Sequence, residues 1–184
     1  MAASQQILTN EQILPKFRNM VFNSENNVKI VCPTFSPDNS IVDLIIDAHN
    51  RGVNVQVLTK STSKGKNREV VDRFLENGIH PQFYNDVIAR YMIVDGKTAA
   101  IFSNTLNLVI IENFQNLAIY TEDEGIIRSL EEFFTEIASR EQTPLSNENE
   151  NENRESSSKK DSSRITPSRD IKAKRSKLPT SKAQ

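Results

Sequence analysis

Two groups of side chains in this 184-residue chain are suited to holding an anion. The first is Arg90, followed in sequence by Asp95, Ser103 and Asn104. A guanidinium presents a planar fork that matches phosphate or carboxylate oxygens two at a time. The second is the segment from Thr59 to Arg68, which carries Lys60, Lys64, Lys66 and Arg68 among hydroxyls and Gly65. It joins a predicted strand to a predicted helix, where backbone amides and cations converge on a bound anion. Each group also has a plainer reading. Arg90 suits an ion pair with Asp86 or Asp95, and Asp95 suits the first place of an Asp-Gly turn. Ser103 and Asn104 suit a strand end, and the Lys-rich loop suits a solvated surface. His49 and His80 read as structural or solvated residues, and Cys32 as a small buried hydrophobe. No metal or cofactor is expected.

Arg90 sits inside a segment with the grammar of a buried β-hairpin. Tyr91 to Val94 is one apolar run and Ala99 to Phe102 is a second. Between them lies Asp95-Gly96, the strongest short signal for a turn that needs positive φ at both central residues. A hairpin that is apolar at nearly every position is covered on both faces, so it belongs near the middle of a sheet flanked by helices.

The same segment resembles the phospholipase D superfamily. That family carries His, any residue, Lys, four residues and Asp, then a Gly and, after a second strand, a Gly-Ser-x-Asn segment. Counting back from Asp95, the Lys place holds Arg90 and the His place holds Ile88. Phe102-Ser103 stands in the Gly-Ser place, with Asn104 one residue out of the usual spacing. The resemblance implies a layered α-β-α sandwich around a mixed sheet. In the family two such motifs meet, from two halves of one chain or from two subunits. One His attacks phosphorus and the other acts as general acid, while the Lys clamps phosphate oxygens and the Asp orients the His. Isoleucine does neither kind of His chemistry, and no second motif occurs in this chain. Domains of this degenerate kind also serve as sensor modules of archaeal transcription regulators, behind a winged-helix domain. Only about two dozen residues precede the first predicted strand here.

The other elements follow from period and punctuation. Ile13, Leu14, Phe17, Met20 and Val21 form one helical stripe between Asn10 and Asn23. Val28 to Cys32 reads as a strand stopped by Pro33. Ser36 to Ser40 carries cap residues and a first-turn proline for a helix that buries Ile41, Leu44, Ile45 and Ala48 and ends at Gly52. Val53 to Leu58 is the next strand, parallel to the one before it. Glu69 to Leu75 reads as a helix closed by Gly78. Ile79 to Tyr84 reads as an edge strand because of Pro81. Leu117 to Tyr120 is the last predicted strand. Glu122-Asp123-Glu124 then opens a helix whose buried face is Ile126, Ile127, Leu130, Phe133, Phe134 and Ile137.

Composition changes sharply after this helix. Up to Arg140 there are 13 basic and 17 acidic residues; Glu141 to Glu155 has one basic and five; Ser156 to Gln184 has nine basic and two acidic. The pattern predicts a folded domain over residues 1–140 and a disordered polar tail over 141–184, acidic then basic. One cysteine, no long apolar run and a polar N-terminus predict a cytoplasmic protein without a membrane span.

The leading expectation is a non-catalytic, regulatory module that binds a phosphate-bearing or sugar-like ligand or a protein partner, assembles as a homodimer or with another protein, and uses Leu106 to Ile111 as its docking face. A second expectation is nucleic-acid binding through Lys172, Lys174, Arg175 and Lys177. A third is a phosphodiesterase or nuclease-type hydrolase completed by another subunit.

Overall fold

The computed structural model describes residues 4–36, 40–62, 65–103 and 115–145. Seven strands form one mixed sheet. They are β1 (Gln5–Thr9), β2 (Asn27–Val31), β3 (Asn54–Thr59), β4 (Gln82–Phe83), β5 (Tyr91–Val94), β6 (Thr98–Phe102) and β7 (Leu117–Thr121). Their order is β1-β7-β6-β5-β2-β3-β4, which puts β5 in the middle. The helices are α1 (Ile13–Phe22), α2 (Ser40–Asn50), α3 (Lys66–Glu76) and α4 (Glu124–Ala138). Together they make the layered α/β sandwich that the sequence implies.

The central hairpin forms as its residues dictate. Asp95 and Gly96 both have positive φ, 54° and 62°, and the Lys97 N–H donates to the Val94 carbonyl at 3.0 Å. This is the mirror-image turn whose twist suits a hairpin. β5 is buried at all four positions and pairs antiparallel with β2 on its other side. β2 and β3 run parallel, with α2 as their crossover.

Alternation along the strands sends two sets of side chains to two cores. Val28, Ile30, Val57, Met92, Val94, Ala100 and Tyr120 pack with α1, α2 and α3. Val31, Leu58, Tyr91, Ile93 and Ala99 pack with Tyr84 and Val87 and with Ile127, Phe134 and Ile137 of α4. Seven strands at about 4.8 Å spacing span about 29 Å, and one helix covers about 10 Å. Among the described residues the α4 face of the sheet is therefore only partly roofed. Ile7, Leu117 and Ile119 stay exposed on it, as does Phe133 beside the Tyr91 ring.

Four elements differ from the expectation. β1 is a strand that the sequence pattern did not announce. α3 starts three residues earlier than Glu69, because Gly65, at φ 81°, turns the chain into it. β4 is two residues rather than six; Pro81 lies outside it, and the edge position holds. Phe133 faces solvent rather than the core.

The chain past α4 also takes a defined path. The Thr143 N–H donates to the Phe83 carbonyl at 2.8 Å, and the Ser61 hydroxyl donates to the Pro144 carbonyl at 2.8 Å. Residues 141–145 thus form a strap over the β4 edge. The disordered tail was expected over 141–184; its first five residues are ordered here, and residues 146–184 lie outside the described residues.

Candidate functional site

The ends of β2, β3 and β4, the start of β5 and the end of β6 come together at one edge of the sheet. This edge receives Cys32, Lys60, Ile88, Arg90 and Ser103. Ile88 is 70% exposed, an unusual setting for a large aliphatic side chain. Arg90 is half-buried just before β5, and its carbonyl accepts from the Phe102 N–H at 2.9 Å, so it is fixed in the hairpin ladder. Its Nη1 donates to the Ile88 carbonyl at 3.1 Å. Its Nε is buried and has no partner among the described residues. Neither expected carboxylate pairs with it, because Asp86 pairs with Arg140 at 3.1 Å.

Asp95 lies at the opposite end of β5, about 16 Å from Arg90 at strand spacing. Its carboxylate accepts three backbone N–H groups, from Glu25 at 3.0 Å and from Asn26 and Asn27 at 2.8 Å each. Its own N–H donates to the Asn27 carbonyl at 2.9 Å. Burial pushes this carboxyl up, but the three amides and nearby Lys97 outweigh it and hold the group below its ordinary value. Asp95 therefore ties the hairpin turn to the entry of β2, and the structure does not bring it to the Arg90 edge.

The remaining sequence candidates divide. The Ser103 hydroxyl oxygen accepts from the Leu117 N–H at 3.0 Å, while the Ser103 N–H donates to the Leu117 carbonyl at 2.9 Å. Its side chain extends the β6–β7 ladder. Lys60 is half-buried at the end of β3, with its N–H on the Pro33 carbonyl at 3.3 Å. Lys66 is exposed at the first residue of α3. Lys64, Asn104, the Leu106 to Ile111 stretch, Lys172, Lys174, Arg175 and Lys177 all lie outside the described residues. Asn67 was not singled out in the sequence. Its Oδ1 accepts from the Phe35 N–H at 2.7 Å, and its Nδ2 is buried without a partner among the described residues. Only its place at the foot of the Lys-rich loop hinted at it.

His49 lies in the last turn of α2, its Nε2 where a side chain at Gly78 would meet it, and His80 is exposed ahead of β4. Neither belongs to the Arg90 edge. Cys32 is buried and its thiol donates to the Thr34 carbonyl at 3.0 Å. A cavity of about 230 Å³ opens at the other end of the sheet, between α1 and the Asp95 turn. It mixes Lys16 and Lys97 with Glu25 and Asp95, so its charges balance and no ligand sign stands out. Among the described residues no group of His, Cys, Asp and Glu has the arrangement to hold a metal ion, and no helix is long and apolar enough to cross a membrane.

A seven-stranded mixed sheet layered with helices defines an α/β sandwich, with Lys60, Arg90 and Ser103 at the end where β5 begins. Comparison with known proteins then places it. The profile of the cardiolipin synthase, phospholipase D-like domain matches residues 17–138, about two thirds of the chain, and the chain belongs to this family. Nuc from Salmonella typhimurium, a phospholipase D family member, superposes with a TM-score of 0.68 at 14% identity, over 77% of this chain and 99% of its own. NucT from Helicobacter pylori gives 0.64 at 16% identity, over 73% and 95%. TrmBL2, an archaeal chromatin protein with a novel mode of DNA binding, gives 0.53 at 17% identity, over 72% and 51%. At these identities the likeness is one of fold. No curated protein matches the chain.

Proposed function

We propose that this chain is a non-catalytic, regulatory phospholipase D-like module that binds a phosphate-bearing or sugar-like ligand at the Arg90 edge. One observation carries the reading. Where the family's nucleophile would stand, an isoleucine is exposed, and beside it a half-buried arginine keeps an unused buried donor. An orphaned donor of this kind costs about 1–3 kcal/mol unless a ligand or water satisfies it. A phosphate oxygen satisfies it with charge assistance. Lys60 and Ser103 stand at the same end of the sheet, and the proposal extends by sequence to Lys64, Lys66 and Asn104 as candidates. We further propose a cytoplasmic module that assembles as a homodimer or with a protein partner.

The test is a ligand-dependent melting scan of the full chain with inorganic phosphate, nucleotides, sugar phosphates and short DNA. The expected result is a rise of several degrees with one class, abolished by Arg90→Ala. No shift with any of them removes the anion site. Turnover of a generic phosphodiester, lost in Arg90→Ala, would instead favour a hydrolase completed by another subunit.

A second reading is nucleic-acid binding through Lys172, Lys174, Arg175 and Lys177. It draws support from the density of positive charge in that stretch and from the DNA-binding description of the archaeal chromatin protein. It requires salt-dependent DNA binding that disappears when residues 156–184 are removed.

A further inference from the structure

We infer that the outer edge of β1 docks a second copy of this chain, strand to strand, about a twofold axis at Ile7. The inference rests on the reading that the module assembles with itself, and it names the surface. Apart from the strand ends where Arg90 lies, the sheet has two edge strands, and they are treated differently. The β4 edge is two residues long and lies under the strap that runs from Glu141 to Leu145, with Thr143 bonded to Phe83. The β1 edge is five residues long, and among the described residues nothing pairs with its outer side.

Natural sheets blunt such edges with charged residues, proline, a bulge or a cover. Among the described residues β1 has none of the four. Its sequence, Gln5-Gln6-Ile7-Leu8-Thr9, is uncharged and lacks proline, and its ladder with β7 runs through five consecutive pairs without an extra residue. The register explains why the edge is sticky. Val31, Tyr91, Ile101, Ile119 and Ile7 stand opposite one another in one row across the sheet. α4 covers the Val31 and Tyr91 end of that row. The other end stops at Ile7, which is 69% exposed. One more strand laid antiparallel against β1 would set an apolar residue against Ile7 and continue the row.

The β1 strand of a second copy fits this place. Paired about Ile7 it sets Ile7 against Ile7, Gln5 against Thr9 and Gln6 against Leu8, so each copy offers what the other needs. Neither strand brings a charge, so no like charges meet. The twofold also joins the two exposed strips of Ile7, Leu117 and Ile119 into one apolar surface. A five-residue edge with this strip falls short of the roughly 800 Å² per partner of a standard stable interface. The dimer is accordingly concentration-dependent, with a dissociation constant in the micromolar range.

The experiment is sedimentation or light scattering of the full chain between about 1 and about 300 µM. Wild type shifts from monomer to dimer across the range. Ile7→Lys and Ile7→Glu each stay monomeric, and an equimolar mixture of the two recovers the dimer, because opposite charges then meet at the axis. Phe133→Asp, on the α4 side, still dimerises. Ile7 is exposed, so melting curves of its variants stay near that of wild type and show that the fold persists. A wild-type chain that is monomeric throughout overturns the inference together with self-assembly, while anion binding through Arg90 is judged separately. A dimer that survives Ile7→Lys, or a mixture that fails to recover it, removes the β1 interface and leaves self-assembly through another surface standing.

Discussion

Replacing Asp95 tests whether this residue holds the fold or the ligand. Asp95→Ala strips the acceptor from three backbone N–H groups at 2.8 to 3.0 Å. A hydrogen bond to a charged group contributes about 1.5–3 kcal/mol, and water at this half-buried turn lowers each towards the bottom of that range. Alanine at a φ of 54° adds backbone strain of about 1 kcal/mol. The loss comes to about 5 kcal/mol, a large part of the total stability of an ordinary domain. Asp95→Asn keeps an acceptor oxygen and tolerates positive φ, so it costs about 1.5 kcal/mol. Urea unfolding followed by circular dichroism reads both values. The pH dependence carries the sign. The folded carboxyl titrates below its ordinary 3.8, so its contribution is complete above that value and is lost as pH falls through the folded value. Wild type and Asp95→Asn should therefore differ by a constant amount between pH 6 and 8 and converge in acid below about pH 4. A loss under about 1 kcal/mol for Asp95→Ala would refute the clamp. So would abolished ligand binding with stability unchanged, since that places Asp95 in the site.

Two further substitutions probe the same hairpin and its roof. Gly96→Ala costs about 1 kcal/mol in urea unfolding, all of it backbone strain at a φ of 62°, because an added Cβ meets nothing within 4 Å. Tyr91→Phe removes the hydroxyl that donates to the Leu130 carbonyl at 3.3 Å and costs about 1 kcal/mol. Burial first, and Glu131 second, push the Tyr91 phenol above its ordinary 10.0, so the difference between the spectrophotometric titrations of wild type and Tyr91→Phe should show this phenol still protonated at pH 10.

What the sequence discloses is what is decided locally. The β5–β6 hairpin was legible because its turn residues and apolar runs lie within a dozen positions. α4 was legible through its acidic start and its stripe, with Asp123 accepting from the Ile126 N–H at 2.9 Å. β1 was not. Five residues without a turn signal become a strand only by pairing with β7, more than 100 positions away. The site followed the same division. Arg90 and Ile88 could be placed at the mouth of the hairpin by counting, but the partners of Asp95 come from residues 25 to 27, and no local pattern connects them. Asn67 was hidden for a similar reason, since its significance lies in the Phe35 amide it holds.

The length of β5 separates two kinds of selection. At one end, positions 88 and 90 stand where we propose that a ligand binds. At the other, Asp95 secures the crossing between the hairpin and β2. A lineage can therefore exchange the residues at the first end without loosening the domain, whereas a change at the second end threatens every copy of the protein, active or not. An intact Asp-Gly after an apolar run thus certifies a fold that still assembles. The residues at positions 88 and 90 carry no such structural duty, so their replacement changes what the sheet end presents to solvent and leaves the frame standing.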